Sequence, residues 1–82
     1  MATVVLPYST AKKLGKSILE LDAGTVGDLL DRLRDLLERQ GAALPRQAAV
    51  VVNGVAAARR RGRKTPLKKG DQVWFVLPAG GG

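Results

Sequence analysis

The chain has 82 residues, 45% hydrophobic and 26% charged, with 14 basic against 7 acidic side chains and a formal net charge of +7. That length supports one small domain with little interior for an active site. The sequence has no Cys and no His, which removes disulfides, thiolate nucleophiles, the usual zinc ligands and the commonest general acid–base group. No apolar run is long enough to cross a bilayer, and MATVVLPYST lacks the basic-then-apolar order of a signal peptide. A cytoplasmic location is therefore expected. The carboxylates fall mainly on one expected helix surface, so a paired-carboxylate mechanism is not expected, and no metal site is either.

In chain order, Thr3–Tyr8 reads as a first strand, with Val4 and Leu6 on one face, Val5 on the other and Pro7 near its end. Residues Ala11–Gly15 read as a polar turn. Lys16–Asp22 alternates, with Leu19 and Leu21 on one side and Lys16, Ile18 and Glu20 on the other, so the two strands are expected to form a β-hairpin. Thr25-Val26-Gly27-Asp28 is a helix-start signal of the Thr-x-x-acid type. Val26, Leu29, Leu30, Leu33, Leu36 and Leu37 then form one apolar stripe, which Gly41 ends. This stripe is read as core packing. Asp28–Arg32 and Asp35–Arg39 are favourable charge pairs four residues apart.

After the loop Ala42–Arg46, Ala48–Val52 reads as a buried strand and Asn53-Gly54 as a tight turn. Val55–Ala58 pairs back briefly. Arg59, Arg60, Arg61, Arg63, Lys64, Lys68 and Lys69 then concentrate the positive charge within eleven residues, while the rest of the chain is nearly balanced. Such a run fits an acidic partner as well as phosphates, and a solvated hairpin is its plainest reading. Gly70-Asp71 leads into a last strand, Gln72–Leu77, on which Trp74 and Phe75 point to opposite faces. A helix between strand pairs must cover one face of a mixed sheet. The first and last strands then lie side by side at its centre, giving an α+β roll.

The sequence closes with Pro78-Ala79-Gly80-Gly81-Gly82 directly after that strand. Residues without a Cβ can thread a narrow channel in backbone conformations closed to other residues. Ordering them costs roughly 1–2 kcal/mol each, so a partner must also hold the folded body. A terminal carboxylate is a poor electrophile until activated. A partner using ATP would convert it to an acyl-adenylate, and a sulfur nucleophile displacing AMP would leave a thiocarboxylate. A protein without Cys would carry sulfur in this way.

Thr25-Val26-Gly27-Asp28-Leu29-Leu30 resembles the helix start of the molybdopterin synthase small subunit and of the thiazole-synthesis sulfur carrier. Val51-Val52-Asn53-Gly54 and Thr65-Pro66-Leu67-Lys68-Lys69-Gly70-Asp71-Gln72-Val73 resemble that family's Val-Asn-Gly and Pro-Leu-x-x-Gly-Asp-x-Val signatures, in the right order. Gly81-Gly82 matches its di-glycine end.

The resemblance implies a ubiquitin-like β-grasp fold, α+β, with a mixed sheet of four to five strands and one main helix. The domain would occupy residues 1–77 and the tail residues 78–82. It further implies a carrier, not itself an enzyme, whose Gly82 becomes an adenylate and then a thiocarboxylate, with Gly80 and Gly81 inserted into the partner. Trp74, Phe75, Arg59, Arg60 and Arg61 are the docking candidates.

The partners implied are a ubiquitin-activating-type adenylyltransferase, a sulfur donor such as a persulfide protein, and an acceptor synthase subunit. Of these, only the activating partner uses a cofactor, ATP; none is bound permanently by the chain. The length fits the molybdopterin type, whereas Leu6-Pro7 looks more like carriers for cysteine synthesis. Thiazole synthesis, or conjugation to target lysines, would also proceed through Gly82. The rival from another class is an RNA-binding β-grasp module, which does not require a di-glycine end. Neither nucleic acid nor membrane is expected as a partner.

Overall fold

Helix α2 (Val26–Arg39) organises the fold, because its apolar stripe needs a cover. Thr25 is extended (φ −141°, ψ 163°), and its hydroxyl accepts the Asp28 N–H at 3.1 Å, satisfying a donor that the first turn leaves unpaired. Val26, Leu29, Leu30, Leu33 and Leu37 are buried. Burying each such Leu contributes about 1.5–3 kcal/mol. The charge pairs Asp28–Arg32 (3.4 Å) and Asp35–Arg39 (3.1 Å) form on the wet face. At the far end Gly41 turns left-handed (φ 73°) and the Ala42 N–H returns to the Leu37 carbonyl at 2.8 Å.

The computed structural model describes residues 1–77. The five strands are β1 (Ala2–Val5), β2 (Ile18–Leu21), β3 (Ala49–Val52), β4 (Val55–Ala56) and β5 (Gln72–Val76), in the spatial order β2-β1-β5-β3-β4. The first and last strands are parallel neighbours at the centre, and the other pairings are antiparallel. The sheet lays Val4, Leu6, Val52 and Val73 against α2, with Leu19, Leu21, Val50 and Phe75 packed around them. This is the α+β roll expected from the sequence, a ubiquitin-like β-grasp.

Two segments differ. Ala11–Gly15 belongs to a helix, α1 (Tyr8–Leu14), so β1 and β2 pair in antiparallel register without forming a simple hairpin. Pro7 opens that helix, buried Thr10 donates its hydroxyl to the Ala43 carbonyl at 2.8 Å, and Gly15 closes it at φ 81°. Seven residues are too few for helical periodicity to stand out, and the holding contact comes from a loop 33 residues away.

The basic segment is not a hairpin either. It forms two single turns of 3₁₀ helix, Ala57–Arg59 and Gly62–Lys64, folded back on the start of α2. The Val26 N–H reaches the Thr65 carbonyl at 2.9 Å and the Leu67 N–H reaches the Gly24 carbonyl at 3.0 Å. Arg63 crosses α2 where Gly27 has no side chain, donating to both Asp31 carboxylate oxygens (3.0 and 2.9 Å) and to the Gly27 carbonyl. A Cβ on Gly27 would lie 3.1 Å from the Arg63 Cβ and carbonyl oxygen.

Candidate docking face and carboxyl-terminal tail

β5 has a strand partner on each side, β1 and β3, so the segment that leads into the tail starts from the central strand of the sheet. The expected tail residues Gly80, Gly81 and Gly82 lie outside the described residues.

Strand register builds a surface at the base of that tail. Ile18 pairs with Val5, Trp74 with Val51, and Val51 with Ala56. The pairing of Val4 with Val73 sets Val5 beside Trp74 when continued by one residue. Ile18, Val5, Trp74, Val51 and Ala56 therefore form an apolar row across all five strands, on the face turned away from α2. Val76 and Ala49 add a second row toward the tail. Ile18 is 56% exposed, Trp74 45% and Val76 52%.

The next row toward the start of β5 is polar: Glu20, Thr3 and Gln72, with the Thr3 hydroxyl donating to Glu20 Oε1 at 2.7 Å. The apolar area thus occupies the half of the open face from which the tail departs. An exposed cluster with an aromatic at its centre and a polar margin has the make-up of a docking surface.

Trp74 sits in this cluster. Phe75 points the other way, half-buried against the core beneath α2. Arg59 ends the first 3₁₀ turn, Arg60 and Arg61 follow it, and all three are exposed outside the apolar rows. Ile18, Val5, Val51 and Val76 were not docking candidates on sequence grounds. Their outward positions follow from alternation, but their alignment into one row depends on register between strands far apart in the chain.

The two signature motifs have a structural role. Asn53 (φ 50°) and Gly54 (φ 85°) occupy the left-handed positions of a tight β3–β4 turn. The Asn53 amide donates to Asp71 Oδ1 at 2.9 Å, and its carbonyl oxygen accepts the Gln72 N–H at 2.9 Å. Asp71 Oδ2 accepts the Lys68 N–H at 2.7 Å. The Lys68 backbone donor, then the Asn53 amide, hold the Asp71 carboxyl below its ordinary range; the charges of Lys68 and Arg60 add to this against slight desolvation. This knot aligns β5 with β3 at the end remote from the tail.

Among the described residues, no group of three His, Cys, Asp or Glu side chains could hold a metal ion, and no helix is long and apolar enough to cross a membrane.

Residues 4–82 match the model of the ThiS family. The chain belongs to the ThiS family. It is thus a member of a group of ubiquitin-like sulfur carriers and modifiers. No curated protein matches the sequence, but several solved structures share the ThiS-family fold. The small archaeal modifier protein SAMP1 of Methanosarcina acetivorans is 22% identical, with a TM-score of 0.81 over 99% of this chain and 95% of that one. CysO of Mycobacterium tuberculosis is 18% identical, with a TM-score of 0.80 over 96% of this chain and all of that one. The match to the Amycolatopsis orientalis BexX/CysO complex has 21% identity and a TM-score of 0.78, over the full length of both chains.

Proposed function

We propose that the chain is a protein co-substrate that carries sulfur on the carboxyl of Gly82. The observation that carries this reading is the glycine run that follows the central strand β5 after Leu77-Pro78-Ala79, on a strand whose open face carries an apolar surface built around Trp74. A partner that holds the face positions the tail, and the glycines pass into its active site with no side chains to exclude. In that site the Gly82 carboxylate attacks the α-phosphate of ATP, forming an acyl-adenylate and releasing pyrophosphate. The terminal sulfur of a donor persulfide then attacks the carbonyl carbon and AMP leaves. A second thiol attacks the inner sulfur of the resulting acyl persulfide, which releases the thiocarboxylate and leaves a disulfide.

The activating partner fits the ubiquitin-activating adenylyltransferase class, and ATP is its cofactor. Chain length supports an acceptor synthase of the molybdopterin type; cysteine-forming and thiazole-forming acceptors would take sulfur from the same carboxyl. A second reading, conjugation of Gly82 to target lysines, draws support from the likeness to a protein named as an archaeal modifier. Both readings share the adenylation step.

The test is the intact mass of the protein after incubation with its organism's activating enzyme, ATP and a sulfur donor. A gain equal to exchanging one oxygen for sulfur, mapped to Gly82 and lost on deleting that residue, is expected. An unchanged mass in the presence of an enzyme that demonstrably adenylates another carrier would overturn the reading. Supplying purified acceptor synthases one at a time then identifies the acceptor by which product forms.

A further inference from the structure

The seven basic residues between Arg59 and Lys69 account for the whole net charge, since the other seven balance the seven acids. All seven are exposed. Of these seven, Arg63 alone has an ion-pair partner among the described residues, Asp31, which leaves Arg59, Arg60, Arg61, Lys64, Lys68 and Lys69 without one.

The fold gathers these charges at one pole. Arg60 and Lys68 both act on Asp71, the residue immediately before β5. The Arg61 N–H bonds Thr65 Oγ1 at 3.1 Å, and the Thr65 carbonyl holds the first residue of α2. The Gly70 N–H reaches the Met1 carbonyl, just before β1. The tail departs from the other end of β5, about 20 Å from Asp71 to Leu77 at roughly 3.3 Å per residue. The pole therefore lies toward the end of β5 opposite the one from which the tail departs.

The surface chemistry selects among polyanions. Protein interfaces use Arg as well, but they are centred on apolar or aromatic side chains. The side chains of the 3₁₀ turns and the Lys68-Lys69 turn that are both exposed and large are cationic, and the apolar Ala57 is buried. The same segments have no aromatic on which an unpaired base could stack. Nor do they contain a helix long enough to enter a DNA major groove, since each helical piece is three residues. What remains is contact with closely spaced phosphates of a double helix without base reading, the way double-stranded RNA is recognised.

We propose that this pole binds the phosphate backbone of a double-helical RNA stem, and that it does so while the tail remains available to its enzymes. The site is independent of the sulfur-carrier reading. It also differs from the expectation drawn from the sequence, where the location of the charges relative to the tail was not visible.

The test is fluorescence anisotropy of a labelled RNA hairpin titrated with the full chain between 50 and 200 mM salt. Six phosphate contacts predict a log–log salt slope of about −5.4 and a loss of affinity of roughly 2,000-fold across that range. Replacing Arg59, Arg60 and Arg61 together by Gln should bring the slope to about −2.7 and the loss to roughly 40-fold. The three side chains make no contact that holds the fold, and circular dichroism checks that it persists. Trp74→Ala and deletion of residues 78–82 should leave the slope unchanged.

No binding at 50 mM salt would overturn the proposal. So would an unaltered slope in the Arg triple variant, or tighter binding to poly-glutamate than to the hairpin, which would mark an acidic protein as the occupant. No activating enzyme is present in the assay, so neither result bears on Gly82.

Discussion

Replacing Asn53 by Ala tests whether the Val-Asn-Gly motif is a structural clamp. The substitution removes two side-chain hydrogen bonds, both 2.9 Å long, to Asp71 and to the Gln72 N–H. Both lie at the surface, where each contributes about 0.5–1 kcal/mol, at the low end of the usual range. It also places a Cβ-bearing residue without a stabilising side chain at φ 50°, which costs about 1 kcal/mol. The expected destabilisation is about 2–3 kcal/mol.

Asn53→Gly loses the same bonds without the backbone strain, so it should cost about 1 kcal/mol less. Urea unfolding at neutral pH reads both. A slope of about 1.2 kcal/mol/M for so small a domain puts the Ala midpoint roughly 2 M below the parent, with unchanged slope. An Ala variant within about 0.5 kcal/mol of the parent, or a Gly variant less stable than Ala, would refute the reasoning.

Asp71→Asn should remove part of the acid sensitivity of the fold. The Asp71 carboxyl binds a proton less readily in the folded chain than its ordinary value of 3.8. Its contribution is thus fully present above about pH 4–5 and is lost as pH falls through the lowered folded value; urea midpoints from pH 7 to pH 2 should fall less steeply in the variant. Trp74→Ala should lower the melting temperature only modestly, because the residue is 45% exposed and lies on the open face, outside the buried core. It should lower kcat/KM for adenylation about 30-fold, as for loss of a 2 kcal/mol anchor, measured by pyrophosphate exchange. Gly27→Val should destabilise by about 1–2 kcal/mol in urea unfolding, because its side chain meets the Arg63 Cβ and carbonyl at 3.1 Å or less.

The features that the sequence by itself determined are those set by local chemistry. The period of Val26, Leu29, Leu30, Leu33 and Leu37, with Thr25 before it, defines α2 because propensity, cap and apolar face agree. Asn53-Gly54 defines a tight turn because both positions need positive φ. Alternation along Gln72–Leu77 separates Trp74 from Phe75 because strand side chains have a period of two. The order of the motifs was enough to indicate the ThiS family.

Tertiary structure decided the rest. Helix α1 lies between Pro7 and Gly15, which read in the sequence as a strand end and a turn, and the Thr10–Ala43 contact that holds it is tertiary. The roles of Asn53 and Asp71 as partners appear only when β3 and β5 are adjacent, 18 residues apart in the chain. The apolar row from Ile18 to Ala56 joins residues of five strands, and the basic pole is distinguished from the tail end only by the direction of β5. Periodicity tells each strand which face a side chain takes. Which residues share a row, and which end of the sheet a charge occupies, is determined by long-range hydrogen-bond register.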